Sequence, residues 1–149
     1  AESLDVLRGI EGSRMRESYR LLAEQIGVPW KGRRYDRADP LAADIPNQAI
    51  NHAASAVEAA AAVACACTGA IPQLGFIHED SGQAFVLDIA DLVRTSVTIP
   101  VAFRAAKEHL RGSPKGLEAL VRRGAAAAFR TERVIPLQIE RIKALFQME

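Results

Sequence analysis

Residues Gly75–Arg94, GFIHEDSGQAFVLDIADLVR, decide how the rest of the chain is read, because their polar residues stand where they are hardest to accommodate. From Phe85 to Val93 every position is apolar except Asp88 and Asp91. A segment that is hydrophobic all round has the pattern of a buried helix rather than a surface one. On a helix, residues three apart lie about 60° apart around the axis, so the two carboxylates share a face. An unpaired buried carboxylate costs several kcal/mol, and two on one face add mutual repulsion. Something positive must therefore face them. His78, ten residues before Asp88 and across the Ser81-Gly82 turn, is near enough to fold back onto that face. One imidazole and two carboxylates in an apolar setting make a donor set for a divalent metal. Nitrogen with hard oxygens and no thiolate suits Mg²⁺ or Mn²⁺ better than structural zinc. Each part also has a plainer reading: a histidine satisfied within the fold, and a D-x-x-D pair that caps a helix or faces water.

Size and composition set the bounds. With 149 residues, 49% of them hydrophobic, the chain forms one domain with room for a sizeable core. No run of eighteen apolar residues lacks a polar interruption, so no transmembrane span is expected. The chain opens Ala1-Glu2-Ser3, without a basic leader or an initiator Met, which suggests no signal peptide and a start that is processed or cut from something longer. Cys65 and Cys67 point to roughly opposite sides of an alanine-rich helix and read as small core residues in a reducing compartment, not as a disulfide. The formal charge of +1 conceals an asymmetry. Residues 1–37 carry eight Lys and Arg against six Asp and Glu, residues 38–93 none against seven, and residues 94–149 eleven against five. Arg (15) far outnumbers Lys (4), and Arg suits bidentate phosphate recognition. Basic flanks around an acidic middle fit a metal-dependent enzyme acting on nucleic acid, or simply solvated helix faces.

Taken in order, the first helix runs from about Ser3 to Ile26, with an apolar stripe of Leu4, Leu7, Met15, Leu22 and Ile26. Glu11 occupies a position on that stripe, a third carboxylate on a face that should be buried, unless it pairs with Arg8 or Arg14. Gly12 beside it permits close approach of another segment. Residues Val28–Asp44 form a loop in which Lys31, Arg33, Arg34 and Arg37 alternate with Trp30 and Tyr35, as a nucleic-acid surface or a solvated loop would. A second helix starts at Asp44 with Pro46 in its first turn and ends at Gly69; its small residues read as scaffold rather than chemistry, and His52 as structural. Pro72–Ile77 is a short helix or turn. Further helices span Phe85–Ser96, Pro100–Leu110, Pro114–Thr131 and Pro136–Met148. No segment alternates with period two, so the fold class is all-α, with six or seven helices. No P-loop, Gly-x-Gly-x-x-Gly, nucleophile elbow or paired Glu-x-x-His is present.

Three segments, LRGIEGSRMRESYRLLAEQIGVPWKGRRYD, IPNQAINHAASAVEAA and GFIHEDSGQAFVLDIADLVR, resemble in order and spacing the CRISPR-associated spacer-acquisition integrase family, its type I-E branch above all. The resemblance covers nearly the whole chain and weakens after about Leu110. It implies that Glu11, His78 and Asp88 ligate a catalytic Mg²⁺ or Mn²⁺, with Asp91 as an adjacent catalytic acid. It also implies that Arg8, Arg33 and Arg34 hold DNA phosphates and that Tyr35 lies near the DNA path. Members of the family insert short DNA fragments into a CRISPR array: a 3′-hydroxyl attacks a repeat phosphodiester, and the same site can hydrolyse or reverse the joining of branched DNA. The resemblance further implies a cytoplasmic protein with no membrane partner, a homodimer in the full-length form, and a small ferredoxin-like companion protein. It also departs from the family. The chain begins at the helical catalytic lobe, so the N-terminal β-rich domain of the family is expected to be absent, and Pro40 and Leu87 stand where the branch often carries aromatics. The competing reading is a non-catalytic helical DNA-binding or assembly module whose buried acids pair with Arg. Arg94 or Arg14 filling the acidic pocket would favour that rival.

Overall fold

The computed structural model describes residues 4–34, 42–78 and 81–147, without the side chains of residues 4, 5, 7 and 8. Six α-helices follow one another: α1 (Leu4–Ile26), α2 (Ile45–Thr68), α3 (Ala84–Asp91), α4 (Ile99–Leu110), α5 (Leu117–Thr131) and α6 (Val134–Phe146). A five-residue π-helical segment, Arg94–Thr98, joins α3 to α4. No strand occurs among the described residues, so the all-α architecture expected from the sequence is the one observed.

The helices assemble around α2, whose ends are set by local chemistry. The Asp44 side chain accepts a hydrogen bond from the Asn47 N–H at 3.1 Å, Pro46 occupies the first turn, and Gly69 closes the helix in the left-handed region at φ +69°. Ala49, Ala53, Ala60, Ala61 and Ala64 are buried along it, and with so little side-chain bulk α3, α4, α5 and α6 all pack against it. By length and composition alone α2 is apolar enough to cross a membrane. In this fold it is the central core helix. Of the two cysteines, Cys65 is buried as expected, but Cys67 is exposed, since their spacing sends them to opposite sides of α2.

The remaining helices are pinned by a few specific contacts. Tyr19 of α1 is buried edge-on against Trp30 at 5.9 Å between centroids, and Trp30 rests on Phe103 of α4 at 5.1 Å. Trp30 is thus a core anchor and not the stacking platform that its basic neighbours suggested. Lys107 of α4 donates to the Ile26 carbonyl at the end of α1. Gln138 of α6, fully buried, donates from Nε2 to the Ile89 carbonyl of α3 at 3.4 Å.

Asn47 ties the basic loop to α2. Its Oδ1 accepts from the Arg34 N–H at 2.9 Å and Arg33 Nη1 at 3.0 Å, while its Nδ2 donates to the Gly32 carbonyl at 3.0 Å and Asp44 Oδ1 at 2.8 Å.

Boundaries differ from the sequence expectations in three places. The helix expected to reach Ser96 stops at Asp91; Thr98 N–H then donates to the Val93 carbonyl five residues back, the widened ring of a π turn. Ser113-Pro114 precedes α5 instead of opening it, with Gly116 as the N-cap. The last helix begins at Val134, two residues before Pro136, after Arg133 in a left-handed conformation.

Asn47→Ala would leave the Arg34 N–H and the Gly32 carbonyl without this partner in a part-buried setting, where each abandoned group costs up to about 1–3 kcal/mol. Urea denaturation should therefore show a loss of about 2–4 kcal/mol. A loss indistinguishable from zero would mean that the loop is not held by this residue.

Candidate active site

The Gly75–His78 turn folds onto the start of α3 because Gly75 leaves room for it. A Cβ at Gly75 would stand 2.1 Å from the His78 carbonyl oxygen and 2.6 Å from Ala84 Cβ. With the backbone that close, three successive amides reach the Asp88 carboxylate. Oδ2 accepts from the N–H groups of Phe76 and Ile77 (3.0 Å for Ile77), and Oδ1 from the His78 N–H at 3.1 Å. The His78 ring completes the set, its Nδ1 donating to Asp88 Oδ1 at 2.6 Å. A carboxylate has about four lone-pair sites, and four donors occupy them. Burial alone would raise the Asp88 pKa, but His78 and the amides of Ile77, Phe76 and His78 together outweigh it and hold it below the ordinary value.

Asp88, expected to ligate a metal directly, accepts these four N–H donors and so holds the turn and the imidazole. His78, fixed through Nδ1, keeps Nε2 as its remaining ring nitrogen.

Asp91 faces a different surroundings. It lines a cavity of about 280 Å³ together with His78, Glu58, Arg94, Arg33 and Tyr19. Arg94 donates to Asp91 Oδ1 from Nε at 3.0 Å and also from Nη2. Burial alone would lower the Arg94 pKa, but Asp91 and Tyr19 offset that and hold the guanidinium charged. Glu58 of α2 is half-buried in the same cavity. Its pKa is raised chiefly by burial and further by Asp91, with Arg94 and His78 opposing. Arg33 reaches the cavity wall with Nη1 on Asn47 Oδ1 and Nη2 on Asn51 Oδ1 at 2.8 Å.

Glu11 does not join these groups. It is exposed on α1, eight residues before Tyr19 and so about 12 Å further along the helix at 1.5 Å per residue. The stripe that should have buried it runs past the end of the core, and among the described residues only the Arg16 side chain would come within 4 Å of a Cβ at Gly12. Among the described residues no three of His, Cys, Asp and Glu stand in a group that could hold a metal. The chemistry of the donor set around the cavity, one imidazole with the Asp91 and Glu58 carboxylates, nevertheless fits Mg²⁺ or Mn²⁺. Of the expected DNA contacts, Arg34 is exposed with its backbone on Asn47, whereas Tyr35 and the Arg8 side chain lie outside the described residues.

Glu58, Asn51 and Tyr19 had no place in the sequence-based site. A signal for Glu58 did exist: it is the one charged residue between Ile45 and Thr68. Reading α2 as scaffold alone passed over it.

Comparison with known proteins places these features in a family. Residues 1–113 match the model of the family described as CRISPR associated protein Cas1. The chain is 39% identical over 133 residues to a CRISPR-associated endonuclease Cas1 of Geobacter sulfurreducens, covering 89% of this chain and 42% of that protein. It is 43% identical over 107 residues to the one of Escherichia coli K12, covering 72% of this chain and 35% of that protein. A crystal structure of a TtCas1–DNA complex superposes with a TM-score of 0.88 at 38% identity, over 98% of this chain and 54% of that one. The chain thus spans about two-fifths of the length of those two relatives.

Gly75→Ala should lift the turn from α3 and cost about 1–3 kcal/mol, as overpacking does. Acid titration provides a second check. The stability from Asp88, whose pKa is lowered on folding, is complete above the ordinary carboxylate value of about 3.9 and fades as pH falls below it. Denaturation curves for Asp88→Asn should lose stability less steeply in that acid range than the parent. Equal slopes would mean that the carboxylate is not held as described.

Proposed function

The chain belongs to the CRISPR-associated Cas1 family, and from that membership we propose that it is the helical catalytic lobe of a metal-dependent DNA endonuclease and integrase that inserts new spacers into a CRISPR array. The observation that carries the reading is the His78–Asp88 pair: a saturated carboxylate fixes the tautomer and direction of an imidazole at a cavity that also holds Asp91. Metal-binding histidines are positioned in this way, by a carboxylate on the other ring nitrogen. The names of the relatives as endonucleases, and the solved TtCas1–DNA complex, support it.

His78 through Nε2 and Asp91 would hold Mg²⁺ or Mn²⁺ with Glu11, and Asp88 would act as the residue that positions His78. The ion supplies a Lewis acid that activates the attacking oxygen and neutralises charge developing on the phosphoryl group. Arg33, braced by Asn47 and Asn51, presents a guanidinium whose direction is set before a phosphate arrives. Arg34 adds an exposed positive charge beside it. A second copy of the chain, a small ferredoxin-like companion protein and a cytoplasmic location complete the proposal, as does membership of the type I-E branch.

The rival reading, a non-catalytic helical DNA-binding or assembly module with structurally paired acids, is favoured by one observation, the Arg94–Asp91 ion pair.

Two measurements test the proposal. In the full-length protein, His78→Ala should abolish Mn²⁺-dependent cleavage and joining of branched DNA, and Asp88→Asn should lower the rate about 10–100-fold, as loss of an orienting partner does. Full activity of His78→Ala would leave the rival standing. Separately, Arg33→Ala combined with Arg34→Ala should flatten the slope of log affinity for DNA against log salt by about one to two units. An unchanged slope would remove both residues from the DNA surface.

A further inference from the structure

We propose that Glu58 is a further carboxylate through which the cavity takes a divalent cation, and that Arg94 is the resident counter-ion which Asp91 and Glu58 share when the cation is absent. The inference rests on the metal-dependent reading above and adds two residues to it.

The geometry begins with an imbalance. Asp91 and Glu58 come from different helices, α3 and α2, yet line one cavity together with His78. Arg94 is the guanidinium bonded to Asp91, and it reaches that carboxylate on Oδ1 alone. Glu58, half-buried, accepts no hydrogen bond from a described residue. Its neighbours are electrostatic: Arg94 and His78 favour its charged form, Asp91 and burial oppose it. Of the two guanidinium groups that line the cavity, Arg33 is bonded to Asn47 and Asn51 and Arg94 to Asp91, so among the described residues Glu58 has no hydrogen-bond donor. An oxygen in that position gains most from a ligand that brings more than one positive charge.

Arg94 is built to give way. It stands at the first position of the π-helical segment, one helical turn beyond Asp91, and it also meets Tyr19 of α1. Leaving Asp91 would still leave it Tyr19 as a partner. Guanidinium and divalent cation repel one another, so Arg94 held against Asp91 weakens the grip of that carboxylate on a cation. Arg94 accordingly stabilises the metal-free pocket and opposes metal entry.

Mn²⁺ titration of the 149-residue chain, read by the electron paramagnetic resonance signal of free Mn²⁺, tests both assignments, with melting in EDTA as a second readout. Glu58→Gln should weaken Mn²⁺ binding about tenfold, and Glu58→Asp should restore part of it. Arg94→Gln should tighten Mn²⁺ binding several-fold and lower the melting temperature in EDTA, where its two carboxylates are left to repel each other. Glu58→Gln binding as tightly as the parent would overturn the role of Glu58. Weaker binding by Arg94→Gln would overturn that of Arg94. His78→Ala separates this inference from the reading beneath it. If His78→Ala loses affinity while Glu58→Gln and Arg94→Gln do not change it, the inference alone fails. If His78→Ala binds as the parent does, or the parent binds no Mn²⁺, the metal-dependent reading fails as well.

Discussion

Four N–H donors on one carboxylate organise this site. Asp88 sits in a helix whose other faces are apolar, and an ionised side chain can stay there because the Phe76, Ile77 and His78 amides and the His78 ring surround it. The dependence runs both ways. Without Asp88 the turn would carry three amides with no acceptor, and without the turn α3 would carry a buried unpaired charge, each costly in itself. Gly75 makes the pairing possible by letting the turn touch Ala84. The orientation of His78 is a by-product of this mutual satisfaction, which is why it needs no metal to be in place.

The small residues of α2 have a second consequence beyond close packing. Because neighbouring helices approach so nearly, the few larger or polar residues on α2 protrude into whatever space remains. Asn47 and Asn51 meet Arg33, and Glu58 meets the cavity between α2 and α3. A helix of this composition is an effective scaffold for a polar site, since the surroundings of its polar side chains are set by the segments packed against it.

Much of the fold was legible in the chain, for identifiable reasons. Asp44 with Pro46 and Gly69 marked both ends of α2 by cap chemistry, which is local and reads directly from sequence. The clash of Asp88 with its apolar surroundings pointed to His78 because burial of charge demands a partner. What could not be read was the identity of every partner. Backbone amides have no sequence signature, so the saturation of Asp88 was invisible. Helical periodicity gave the face on which Glu11 lies but not where the core beneath that face ends. The π segment before Pro100 likewise escaped, because a one-residue shift in hydrogen bonding leaves the apolar pattern almost unchanged.

Arg94 links the two parts of the site that the structure holds apart. Its guanidinium pairs with Asp91 and meets Tyr19, on the same helix as Glu11. From Tyr19 onward α1 is pinned, by Trp30 on Phe103 and by Lys107 on the Ile26 carbonyl. Before Tyr19, among the described side chains, Met15 is half-buried and Ile10 and Glu11 are exposed. A half-helix with few buried contacts opens or shifts at low cost, whereas the pinned half moves only with the core. The convergence of Glu11 with His78 and Asp91 that the proposed function requires is then a matter of packing along the exposed Ile10. It calls for a surface to cover that side chain and leaves the α2 core undisturbed.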